Sequence, residues 1–102
     1  MIIYNVTINI DYSEHHAWLQ WMKQEHIPDV LNCGVFTEAR MVKVIVDEEQ
    51  GGETYSVQYT CGTMADYERY VDNFAKAMQA KAAEKFGGKF VAFRTLLQTI
   101  DL

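Results

Sequence analysis

Two segments of this chain, residues 2–10 and 53–61, alternate between apolar and polar side chains, with Ile3 and Glu53 as the exceptions. Successive side chains of a strand point to opposite faces, so this alternation makes one apolar and one polar face. Ile2, Tyr4, Val6, Ile8 and Ile10 share a face, and Asn5, Thr7 and Asn9 lie opposite, beside Ile3. Tyr55, Val57, Tyr59 and Cys61 repeat the pattern against Thr54, Ser56, Gln58 and Thr60. Two such strands ask for helices over one side of their sheet and leave the other side open to water or to a second surface.

Helical spacing follows each of them. After Asp11-Tyr12-Ser13, with Ser13 as the N-cap and Glu14 in the first turn, Trp18, Trp21 and Met22 form an apolar stripe. Pro28 cannot continue the hydrogen-bond ladder, which predicts a helix over 13–26, a short turn at 28–32 and a stop at Gly34. Thr63 opens the second helix, with Asp66 three residues on. Tyr67, Tyr70, Val71, Phe74, Met78 and Ala82 mark its buried stripe, and Gly87-Gly88 end it. Strands are predicted at 35–47 and 89–100, and a hairpin loop at 48–52. The order strand, helix, strand, strand, helix, strand is the split βαβ pattern of an α+β ferredoxin-like domain filling 1–102. It carries a four-stranded antiparallel sheet with two helices on one face.

With 102 residues, 49% of them apolar, the chain suffices for one core. Fourteen acidic against nine basic side chains, net −5, argue against a nucleic-acid partner. No basic amphipathic helix and no apolar run of about 20 residues points to a membrane. Residues 1–6 alternate like a strand and lack a basic start and a small-residue cleavage site, so they are expected to be structure rather than a leader. Cys33 and Cys61 are isolated, which disfavours a disulfide scaffold or a cysteine zinc site. Reduced, cytoplasmic residence is expected.

The outer strands carry apolar residues on both faces. Met41 and Ile45 oppose Val42, Val44 and Val46, while Val91, Phe93 and Leu97 oppose Phe90 and Leu96. Helices on one side alone would leave an apolar patch in water, so a homodimer through the sheets is expected.

The stretch from Trp18 through Glu25-His26-Ile27-Pro28 to Leu31 resembles the first helix of the dimeric α/β-barrel superfamily. EthD-like proteins, antibiotic-biosynthesis monooxygenases and rhamnose mutarotases are relatives there. Gly34-Val35-Phe36-Thr37-Glu38-Ala39-Arg40 is similar to the start of their second strand. The chain as a whole is still more similar to a group of short bacterial proteins classed only as a domain of unknown function. The resemblance implies a dimer with a central β-barrel. It implies no particular reaction, because one fold hosts many chemistries.

In similar families a histidine where His26 stands can face the barrel mouth and act on a ligand. An imidazole there can move a proton near pH 7. The plainer reading is a histidine in the last helical turn, bonded to carbonyls. His15 and His16 point about 100° apart on a helix and form no metal-ligand pair with His26. Trp18, Trp21, Tyr55 and Tyr59 read as core, and Glu38 and Arg40 as a solvated strand edge or a cavity lining. Neither cysteine has a base placed to activate it. Arg94 stands in an apolar strand, where it serves an ion pair or an anionic ligand.

Asn5, Thr7, Asn9, Ser56, Gln58 and Thr60 offer neutral donors and acceptors that orient a ligand without imposing charge. With Arg94 and His26 they are the predicted site, between the polar sheet face and the end of the first helix. No phosphate loop, dinucleotide fingerprint, hydrolase elbow or zinc signature occurs, so neither metal nor cofactor is called for. A homodimeric module binding a small organic ligand or a partner chain is the function expected. The alternative is a cofactor-independent isomerase or monooxygenase acting on a small cyclic or hydroxylated substrate, with His26 as acid or base.

Overall fold

A computed structural model describes residues 1–45 and 51–102. Strand β1, Ile2–Asp11, lies inside a four-stranded sheet of order β2-β3-β1-β4, with every neighbouring pair antiparallel. The other strands are β2, Glu38–Lys43, β3, Gly52–Cys61, and β4, Phe90–Gln98. Two helical runs cover one face. The first joins α1, His15–Trp21, through a π-turn at Met22–His26, to α2, Ile27–Asn32. The second joins α3, Met64–Tyr70, through a π-turn at Val71–Ala75, to α4, Lys76–Phe86. This is the βαββαβ ferredoxin-like order read from the periodicities.

The alternating strands settle the layering. Register places Tyr4 opposite Tyr59 and Val6 opposite Val57, and all four side chains are buried against the helices. Trp18, Trp21, Met22 and Val30 from the first run, and Tyr70, Ala75 and Phe86 from the second, close the same core. Burying a large aliphatic or aromatic side chain stabilises the fold by about 1.5–3 kcal/mol, so this layer dominates its energetics. Gly52 meets β1 so closely that a Cβ would collide with the Ile10 carbonyl oxygen.

Three boundaries differ from the sequence reading, each for a local reason. Pro28 does not break the first helix. The Ile27 N–H bonds the Met22 carbonyl, five residues back, and this π-turn accommodates a proline that has no N–H to offer the Gln24 carbonyl. The run therefore continues to Asn32, where Gly34 at φ 81° takes the left-handed conformation that ends it. The first cap is Asp11 rather than Ser13. Asp11 Oδ1 accepts the Ser13 N–H at 2.8 Å and the Ser13 hydroxyl at 2.7 Å, opening a 3-10 turn at Tyr12–Glu14 before α1. These bonds, the backbone one first, hold the Asp11 carboxyl below its ordinary range.

Strand β2 starts at Glu38 because Val35 and Phe36 turn into the core instead of pairing. Phe36 packs on Tyr4, Tyr59 and Tyr70. Beyond Lys43 one bond, Val44 N–H to the Thr54 carbonyl at 2.9 Å, prolongs the pairing. The expected strand end at 46–47 and most of the hairpin loop at 48–52 lie outside the described residues. The Thr63 cap stands as read. Its hydroxyl accepts the Asp66 N–H and the Asp66 carboxylate accepts the Thr63 N–H, both at 3.2 Å. Among the described residues no helix is long and apolar enough to cross a membrane.

Candidate functional site

Between the helices and the sheet lies a cavity of about 70 Å³. Its floor is the apolar face of β1 and β3, chiefly Tyr4, Val6, Val57 and Tyr59. Trp18, Trp21, Met22 and His26 form one wall, Tyr70, Met78, Gln79 and Ala82 the other, and β4 adds Ala92 and Arg94 at its edge. Residues in or beside both π-turns therefore meet in one space.

His26 is partly buried, and its ring stacks on Trp21 with centroids 4.5 Å apart. It caps no helix end, since α2 continues beyond it. Its Nδ1 is buried without a hydrogen-bond partner. Burial pushes the imidazole down to about 4 from an ordinary 6.5, against the attraction of Asp29 and with a smaller push from Lys81. At neutral pH the ring is uncharged, offering one donor and one acceptor nitrogen.

Arg94 pairs with Val6 across the β1–β4 ladder, so it points to the helix side of the sheet. Its Nε–H donates to the Tyr4 hydroxyl at 3.1 Å. Tyr4 in turn contacts the rings of Phe36, Tyr59, Tyr67 and Tyr70. Burial lifts the Tyr59 and Tyr70 phenols well above their ordinary range, so both remain protonated donors.

The six neutral residues of the predicted site are elsewhere. Asn5, Thr7, Asn9, Ser56, Gln58 and Thr60 face away from the helices, on the open side of the sheet. Most of them satisfy one another. Arg40 Nη2 donates to Gln58 Oε1 at 3.0 Å, and Gln58 Nε2 donates to the Ser56 hydroxyl at 3.3 Å. The Ser56 hydroxyl donates to Asn5 Oδ1, and Asn5 Nδ2 donates to the Thr7 hydroxyl at 3.1 Å. Asn9 Nδ2 donates to the Thr54 hydroxyl at 3.0 Å. Beside this polar strip β4 presents Val91, Phe93 and Leu97, all exposed, with Phe93 66% accessible. The structure thus brings His26 and Arg94 together in the cavity and separates both from the polar strip by the thickness of the sheet.

The Domain of unknown function (DUF4286) matches residues 1–100. The chain belongs to DUF4286. No curated protein matches it. Among solved structures it is similar to an ethyl tert-butyl ether D (EthD) family protein from Bacillus halodurans C-125, with a TM-score of 0.67 at 10% identity, over 98% of this chain and 100% of that one. At that identity the likeness shows the fold alone, and it is the EthD-like, ferredoxin-like fold that the helix and strand motifs resemble.

In this DUF4286 chain no group of three or more His, Cys, Asp or Glu side chains converges to hold a metal among the described residues. His15 Nε2 lies 2.7 Å from the Tyr55 hydroxyl, and His16 is exposed. Cys33 Sγ–H points to the Asp29 carbonyl at 3.4 Å and Cys61 Sγ–H to the Thr63 carbonyl at 3.5 Å. Burial raises both thiols, which keeps them protonated and poorly nucleophilic.

The reading by residue type passed over Tyr4, Tyr59, Tyr70 and Trp21 as cavity wall, because such residues pack cores in most domains. One signal was available. Arg94 is in phase with Phe90, Ala92 and Leu96, so a period of two already puts its charge on the helix side.

Proposed function

We propose that this DUF4286 chain pairs sheet to sheet as a homodimer and that each protomer holds a small organic ligand in the cavity between its helices and its sheet. The observation that carries this reading is His26 Nδ1, a buried polar atom without a partner in the wall of a cavity. Leaving such an atom unpaired costs about 1–3 kcal/mol, and a ligand hydrogen-bonding group removes that cost. The aromatic walls supply apolar contact, while Arg94, Tyr59 and Tyr70 supply polar anchors, the usual make-up of a small-molecule site.

The dimer rests on the open sheet face. A polar strip whose side chains are mostly bonded to one another can be covered at little cost, and exposed Val91, Phe93 and Leu97 gain by being covered. Two reduced, half-buried or buried thiols fit a reducing compartment, so cytoplasmic residence belongs to this reading.

A thermal-shift panel of small uncharged and anionic organic compounds tests the ligand. At least one compound is expected to raise the midpoint, and Ala82→Leu, which fills the cavity, is expected to remove the rise. A panel without any shift, or shifts untouched by Ala82→Leu, overturns the reading.

One observation also favours a catalytic version. An uncharged His26 with a free Nδ1 suits a general base, as in a cofactor-independent isomerase or monooxygenase acting on a small cyclic or hydroxylated substrate. Turnover of a bound compound, lost in a folded His26→Ala variant, would establish it.

A further inference from the structure

The geometry points to a short-chain carboxylate as the ligand, its anionic head on Arg94 and its apolar tail between the aromatic walls. This rests on the ligand-binding reading and adds the chemical class.

Charge is the first argument. The chain is acidic overall, at net −5, yet among the described residues no aspartate or glutamate lines the cavity, and Arg94 is the one cationic side chain that does. Among the described residues the ion pairs are Lys43–Glu53, Arg69–Asp66 and Lys81–Asp29, and none involves Arg94. Its Nε is engaged by the Tyr4 hydroxyl, which fixes the guanidinium while its Nη groups keep their donors. A planar fork held this way matches a carboxylate.

The second argument is the supply of neutral donors. Tyr59 and Tyr70 also line the cavity, and their hydroxyls find no hydrogen-bond partner among the described residues. A single cation backed by phenols balances one negative charge, not the two of a phosphate monoester.

Size is the third. The cavity, at about 70 Å³, is about half the roughly 150 Å³ that accepts benzene. It takes the short apolar tail of a ligand whose head stays at the edge, where Arg94 lies exposed, rather than a whole molecule.

Butyrate and butyramide, which differ in charge and hardly in shape, are the probes. Isothermal titration is run on the wild type, Arg94→Gln and Ala82→Leu, each checked for folding by circular dichroism. Butyrate is expected to bind about tenfold or more tightly than butyramide, as befits a charge-assisted bond. Arg94→Gln is expected to erase that preference by weakening butyrate far more than butyramide, and Ala82→Leu to weaken both. Butyramide binding as well as butyrate, or a butyrate preference that survives Arg94→Gln, overturns the carboxylate assignment and leaves the cavity reading standing. Butyrate binding that ignores Ala82→Leu places the anion outside the cavity and overturns the assignment too. If neither probe binds and the wider panel is silent, the ligand-binding reading itself fails.

Discussion

Trp21 and His26 stack with their ring centroids 4.5 Å apart and their planes 21° from parallel. Residues five apart on a regular α-helix point about 140° away from each other. The π-turn at Met22–His26 closes that angle, and so the same local defect that accommodates Pro28 turns His26 toward Trp21 and the cavity.

Acid should act on this pair. The folded His26 takes a proton only near pH 4, while the unfolded chain takes one near its ordinary 6.5. Between those values the unfolded state binds more protons, so this contribution to stability is full above about pH 6.5 and is lost as pH falls toward 4. His26→Gln removes the titrating ring and leaves Asp29 and Lys81, the charged groups that act on it, in the sequence. Urea midpoints from pH 7 to 4.5 should fall more steeply in the wild type than in His26→Gln. Parallel slopes would show that His26 is not the titrating group.

The open face can be tested at Phe93. Light scattering at micromolar concentration is expected to give about twice the 11.8 kDa chain mass for the wild type. Phe93→Glu, which sets like charges against each other across a two-fold interface, should give the mass of one chain with an unchanged far-ultraviolet spectrum. A wild type that runs as one chain at every dilution refutes the dimer.

Asn5 joins Ser56 to Thr7 and is only 8% exposed. Asn5→Ala should cost about 1–3 kcal/mol in urea unfolding, because Ser56 loses its acceptor. Asn5→Ala and Ser56→Ala together should cost less than the sum of the two, as expected for residues in one network. Additive losses would mean that the strip is a row of independent groups.

Thr63→Ala removes one half of the capping box at the start of α3. A loss of about 1 kcal/mol is expected, with the melting midpoint lowered and butyrate affinity unchanged, because the cap lies outside the cavity.

Much of the architecture was legible. The alternation in β1 and β3 named the core face residue by residue, and the Thr63–Asp66 cap was readable because its partners are three residues apart. The course of the chain through Pro28 was not. A proline predicts a break unless the preceding turn widens, and widening leaves no mark in residue type. The early start expected for β2 failed at Phe36 for a different reason. Its ring packs on Tyr4, Tyr59 and Tyr70, and these come from β1, β3 and α3.

What the amino-acid order alone determined was local: two-sided strands, the start of α3, and the polar character of Asn5, Thr7, Asn9, Ser56, Gln58 and Thr60. What only the tertiary structure decided was which polar groups meet. Asn5, Thr7, Ser56 and Gln58 find one another across β1 and β3 in one hydrogen-bonded chain, and Asn9 pairs with Thr54. His26 and Arg94, 68 positions apart, converge on the opposite side of the sheet in one cavity. A strand's period of two assigns a side chain to a face, but pairing register and helix placement assign it a neighbour, and both depend on contacts between residues far apart in the chain.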